Sequence, residues 1–162
     1  MDRIESEKLS SLEALARFGK SFNWAKKFLG KKMGHDAATL YRFCRVLDDM
    51  ADGEIANGPK RLFNIRDGLL KDYSTNDPLL VEFERFIKSK KLPKLVVISL
   101  IDGLLSDQKN VLIRNEFELL QYCYRVAGTV GVLMCDVLNC DDENAIAHAI
   151  DLGIAMQLTN IA

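Results

Sequence analysis

Apolar residues recur at helical spacing along nearly the whole chain, and little interrupts them. Three prolines and ten glycines in 162 residues leave few places for a helix to stop. Those breakers stand where helix ends belong. Ser10 or Ser11 can cap a first helix through about Phe28, followed by a break at Gly30 to Gly34. A second helix is predicted from about Asp36 to Ala51, stopped by Gly53. Pro59 stands in the first turn of a third, which carries Leu62, Ile65, Leu69 and Tyr73. Asp77-Pro78 is an N-cap followed by proline at the first helical position. Pro93 opens another helix, Lys94 to about Leu105. Asn115 and Glu118 have the spacing of a capping box and start a long segment through Leu138. Asp141 or Asp142 caps the last helix, which runs to the end. Asn110 to Ile113 is the only weak strand candidate and reads better as a connection. The expected fold class is all-α, with short connections and antiparallel neighbours.

Composition narrows the function classes. The chain is 48% hydrophobic and 28% charged, with 22 basic against 23 acidic residues. That describes one globular unit with a real core and no overall charge bias toward nucleic acid. Cys44, Cys123, Cys135 and Cys140 form no C-x-x-C pair, and His35 and His148 are far apart, so no zinc pattern arises. Buried, reduced thiols are the expectation. The charged N-terminus is unlike a signal peptide. The longest strongly apolar run, Leu95 to Ile101, falls far short of the roughly 18 residues a spanning helix needs. A cytoplasmic protein is expected, with contact to a membrane surface left open.

Chemistry concentrates in Leu40 to Asp52. At about 100° per residue, Tyr41, Arg45, Asp48 and Asp52 fall on one narrow stripe. Leu40, Cys44, Leu47 and Ala51 flank it, where a solvent-facing stripe would have a broader polar border. Two carboxylates a turn apart, with Asp49 beside them, make an oxygen-rich site suited to Mg²⁺ and phosphate oxygens. Arg45 adds a planar donor fork for phosphate. A solvated acidic face with an Arg45–Asp49 pair at i,i+4 fits the same spacing.

Two further stretches stand out. In Tyr122 to Gly131, two glycines within one helix cost roughly 1 kcal/mol each against alanine; close packing or room for a ligand would offset that. Tyr122, Val126, Thr129 and Leu133 share a face there. In the last helix, Ile146, Ile150, Gly153, Gln157 and Asn160 form a stripe that is apolar first and polar last. It also fits an ordinary amphipathic helix. A basic run, Arg17 to Lys32, carries six cations and no acid. Anionic lipid, a diphosphate or nucleic acid could use it, as could plain solvent. No nucleotide-binding glycine loop and no G-x-S-x-G elbow is present.

Taken in order, Ser21-Phe22, Leu40-Tyr41-x-Phe43-Cys44-Arg45-x-x-Asp48-Asp49-x-x-Asp52, Tyr122 to Gly131 and Asp151 to Ala162 resemble the squalene/phytoene synthase family of head-to-head prenyl synthases. The later stretches look most like bacterial phytoene synthases, and so, more weakly, does the Gly103-x-x-x-Asp107 spacing. The resemblance implies an isoprenoid synthase-type helical bundle around a central cavity. It implies that Asp48 and Asp52, with Asp49 beside them, hold Mg²⁺ (or Mn²⁺) against a prenyl diphosphate. Arg45 and Ser21 match positions near the diphosphate. Phe22 and Tyr41 match cavity residues close to the reacting carbons. Tyr122 matches a tyrosine that steers or deprotonates intermediates, with Tyr124 an alternative. Gln157 and Asn160 match the polar pair leading into a second aspartate motif.

The implied reaction joins two geranylgeranyl diphosphates into phytoene, without NADPH. Squalene or dehydrosqualene formation from farnesyl diphosphate is the alternative, and a non-catalytic scaffold is the alternative of another class. Residues 1–162 would be the N-terminal half of one synthase domain, without the second aspartate motif and inactive alone. No nucleic acid and no obligate protein partner are expected. Peripheral membrane contact is, because substrate and product are very apolar.

Overall fold

The computed structural model describes residues 6–71, 77–108 and 112–162. The expected Tyr73, and Asn110 and Val111 of the weak strand candidate, lie outside them. The helices are α1 (Ser11–Phe18), α2 (Lys20–Ala25), α3 (Gly30–Ala51), α4 (Gly58–Lys71), α5 (Pro78–Lys90), α6 (Lys94–Ser106), α7 (Glu116–Cys123), α8 (Thr129–Val137) and α9 (Glu143–Ile161). Short 3₁₀ turns occupy Ser6–Lys8 and Lys26–Phe28, and Tyr124–Gly128 forms a π-helical turn between α7 and α8. There is no strand among the described residues. The described residues form the expected all-α fold.

Local signals set most helix starts. The Ser10 side chain accepts from the Glu13 amide while Glu13 accepts from the Ser10 amide, a closed capping box. Asp77 accepts from the Leu79 amide ahead of Pro78, and Asp142 from the Asn144 amide. Asn115 caps α7 through the Glu118 amide, but the Glu118 carboxylate reaches one residue further back, to the Arg114 amide at 2.8 Å.

Two boundaries differ from expectation. The first predicted helix is divided at Gly19. The tyrosine ring of Tyr41 occupies the space beside it: a Cβ on Gly19 would lie 2.8 Å from Tyr41 Cζ. α3 starts six residues early, because Gly30 at φ +70° turns the chain in a way that favours glycine and the helix then runs straight through Gly34.

α3 is the central element. Its buried face, including Leu40, Phe43, Val46 and Leu47, joins α4, α5 and α6 in one apolar core. Phe43 stacks on Phe83 of α5. Each such side chain contributes roughly 1.5–3 kcal/mol by leaving water. Arg42, on another face of α3, donates to the carbonyls of Leu9 at 2.7 Å and Glu7 at 3.0 Å and to Glu82 at 2.8 Å. Arg61 of α4 donates to Glu7 at 3.0 Å and Asp77 at 2.8 Å. The two arginines thereby tie the turn before α1 to α3 and α4 and reach on to Glu82 and the cap Asp77 of α5. All four cysteines are free; Cys123 and Cys135 are buried as expected, while Cys44 and Cys140 are only partly so. No helix is long and apolar enough to cross a membrane among the described residues.

Candidate active site

The inner stripe of α3 opens onto a cavity of about 510 Å³, walled by Leu100, Leu104, Val126, Val130 and Met134 and bounded on its polar side by Tyr41, Arg45 and Asp48. Phe22 also lines it, with its ring centroid 6.0 Å from that of Tyr41. Cys44 sits in the wall, and burial pushes its thiol up to about 12. The charged stripe flanked by apolar residues is therefore a cavity edge.

Arg45 is the organising cation. It lies 5.1 Å from the Phe18 ring centroid, donates to Asp48 at 3.3 Å and pairs with Asp49 at 2.5 Å. Its Nε is buried with no hydrogen-bond partner. Arg45 itself borders the cavity, where its guanidinium can meet an anion.

The three aspartates of the motif separate. Asp49 is turned inward and buried, where it accepts from the Ser6 hydroxyl and pairs with Arg45. The i,i+4 pair that a plain surface helix would also make is present, yet it serves as a brace under a cavity residue. Asp48 stays on the stripe with its side chain 45% exposed, and Asp52 ends α3 in the open. Burial, then the neighbouring charge of Asp52, pushes the Asp48 carboxyl up to about 6, against a smaller opposing pull from Arg45. Crowded carboxylate oxygens of this kind suit a hard divalent cation. Among the described residues no three acidic, histidine or cysteine side chains converge as a ready-made cage.

A second cluster faces the first. Tyr122 donates its hydroxyl to Asp107 at 2.9 Å. Burial and the Asp107 bond push the Tyr122 phenol up to about 12, while a hydrogen bond with Gln157 pulls the other way. Asn160 donates to Gln157 at 3.4 Å. Burial raises the Asp107 carboxyl, the Tyr122 bond lowers it, and the charge of Asp52 raises it; Asp107 in turn acts on Asp48. The structure thus groups Phe22, Tyr41, Arg45 and Asp48 on the cavity and Tyr122, Gln157 and Asn160 around Asp107. Ser21 is exposed on α2 and is not part of the lining. Asp107 was legible only as a spacing from Gly103; the Ser6 brace gave no sequence signal.

The glycine-rich segment resolves as a packing seam. A Cβ on Gly131 would lie 2.3 Å from the Ala149 carbonyl oxygen, and one on Gly153 would lie 2.5 Å from that of Ala127. α8 and the π turn therefore meet α9 backbone to backbone. The π turn also corrects the predicted face. Its wider winding shifts the register after Val126, so Val130, Met134 and Leu138 line the cavity while Thr129 and Leu133 are fully buried elsewhere.

The squalene/phytoene synthase model matches residues 15–162. The chain belongs to the squalene/phytoene synthase family. It is 33% identical to the 15-cis-phytoene synthase of a Paracoccus species, over 95% of this chain and 54% of the relative. It is 31% identical to the phytoene synthase of Cereibacter sphaeroides, over 98% of this chain and 48% of that protein. A solved dehydrosqualene synthase with bound ligand superposes with a TM-score of 0.77 at 25% identity, over 93% of this chain and 54% of that one. The chain spans about half the length of the curated relatives it matches.

Proposed function

We propose that this chain carries the first diphosphate site of a head-to-head prenyl synthase, and that the whole protein condenses two geranylgeranyl diphosphates into phytoene. One observation carries the reading: Arg45 and Asp48 stand side by side at the polar edge of an otherwise apolar cavity. A prenyl diphosphate has that same division, a long apolar chain and a charged head.

Asp48 and Asp52 would hold Mg²⁺, which when bound neutralises the leaving diphosphate. Arg45 donates to the diphosphate oxygens as the allylic carbon–oxygen bond breaks, where charge develops. Asp49 and Ser6 keep its guanidinium aimed. Leu100, Leu104, Val126 and Val130 exclude water that would trap the carbocation. The faces of Tyr41 and Phe22 stabilise positive charge on carbon. Tyr122, hydrogen-bonded to Asp107, would steer an intermediate or accept its proton, as the family resemblance implies. The resemblance to bacterial phytoene synthases supports geranylgeranyl diphosphate as substrate with no reductant consumed. The dehydrosqualene synthase neighbour supports a second reading, farnesyl diphosphate condensation.

The 162-residue chain alone is proposed to be inactive. α9 has no fully buried residue, and Leu152, Met156 and Ile161 on it are exposed. Its relatives are about twice as long. A product assay with both substrates, with and without NADPH, on a full-length protein tests the activity. Phytoene from geranylgeranyl diphosphate without NADPH is expected, and is lost in Asp48→Asn. Dehydrosqualene alone would favour the second reading. Hydrocarbon product from the isolated chain would refute its inactivity.

A further inference from the structure

We infer that the surface from Lys20 to Lys32 docks on an anionic lipid bilayer, beside the cavity. The 22 residues from Ala14 to His35 contain Arg17, Lys20, Lys26, Lys27, Lys31 and Lys32 and no acid. The structure lays this segment along the outside as α2, the 3₁₀ turn and the start of α3. Trp24 is 62% exposed and Phe28 74% exposed. Their rings meet edge to face at 5.0 Å, so the pair stands in solvent as one aromatic knob. Lys20 lies one helical turn before Trp24 on α2, and Lys27 adjoins Phe28 in the 3₁₀ turn, which sets cations beside that knob. Lys20, Lys27, Lys31 and Lys32 are exposed, and among the described residues no carboxylate forms an ion pair with any of them.

That combination is the chemistry of a bilayer interface. Tryptophan and phenylalanine partition to the boundary between headgroups and acyl chains, and lysines beside them reach anionic phosphates. Six cations without an acid are complementary to that surface. They are also complementary to nucleic acid, but an exposed aromatic pair backed by the apolar cavity wall favours the bilayer. The inner side of the same segment, Phe22, Ala25, Lys26 and Leu29, lines the cavity. The docking surface and the cavity wall are two sides of one short piece of chain. An apolar chain leaving the cavity here would enter acyl chains without crossing water. That consequence rests on the reaction proposed above; the docking does not.

Tryptophan occurs once in the chain, at Trp24, so its fluorescence reports this patch alone. The purified chain is titrated, without substrate, with phosphatidylglycerol/phosphatidylcholine vesicles, with phosphatidylcholine vesicles, and with a brominated-acyl series. A blue shift and bromine quenching with the anionic vesicles are expected, weakening with salt. Lys27→Ala and Lys31→Ala should each lower partitioning about fivefold, with unchanged circular dichroism. An emission unmoved by anionic vesicles would overturn the inference. So would vesicle binding without bromine quenching, a shift with a DNA duplex but not with lipid, or a lipid-free shift that grows with protein concentration. A Trp24 already shielded in a longer form of the protein would also overturn it, by showing the patch covered by further chain.

Discussion

Asp48→Asn is expected to make the fold more stable at pH 7.5. The Asp48 carboxyl titrates at 3.8 when unperturbed and at about 6 in the fold, chiefly through burial and then the charge of Asp52. The folded state therefore holds this proton more tightly than the unfolded chain. Its contribution to stability is favourable at low pH, falls as pH rises from about 4 to about 6, and is fully lost above that. A shift of this size corresponds to at most ~3 kcal/mol. The side chain is 45% exposed, so solvent screening leaves about 1 kcal/mol. An amide removes the ionisation and can still accept from Arg45. For a chain of this length ~1 kcal/mol moves the melting midpoint by about 2–4 °C. Thermal melts by circular dichroism, without divalent cation, should place the variant that much above wild type at pH 7.5, with the gap shrinking as pH falls from 6 to 4. Added Mg²⁺ should then raise wild type and leave the variant unmoved. A variant less stable at pH 7.5, or a gap that ignores pH, would refute the idea that the site is bought with fold stability.

Gly153→Ala should destabilise by about 1–2 kcal/mol in urea melts, because overpacking against the Ala127 backbone outweighs the roughly 1 kcal/mol gain in helix propensity; a stabilised variant would disprove the seam. Ser6→Ala should cost about 1.5–3 kcal/mol, since a buried carboxylate loses its hydroxyl donor, and a neutral result would remove Ser6 from the brace. Phe43→Ala should cost about 3–5 kcal/mol, read by the same melts. Tyr122→Phe should raise the Asp107 pKa, because the phenol bond holds it down; carboxyl NMR titration reads the direction, and an unchanged or lower value would contradict the pairing.

Helix starts are legible wherever a side chain states them: Ser10, Asp77 with Pro78, and Asp142 all cap as their residue types require. The division at Gly19 was not, because its cause is the ring of Tyr41, 22 residues away, packed where a Cβ would stand. The cavity stripe on α3 could be read from its apolar flanks. The direction of Asp49 could not, since 100° of rotation separates it from Asp48 and its partner Ser6 lies 43 residues earlier. The face after Val126 lies one position from the helical expectation, because a π turn leaves no period of its own in a short window. Tyr122 and Gln157 were found separately, but Asp107, which joins them to the aspartates of α3, needed the fold.

Asp48, Asp52 and Arg45 are proposed to grip the diphosphate of a prenyl chain lying in the cavity. Isothermal titration of the chain with a non-hydrolysable geranylgeranyl thiodiphosphate, with and without Mg²⁺, tests it most directly. Binding that requires Mg²⁺ and is lost in both Asp48→Asn and Arg45→Gln is the predicted result. Binding that is indifferent to Mg²⁺ and to both substitutions would contradict it.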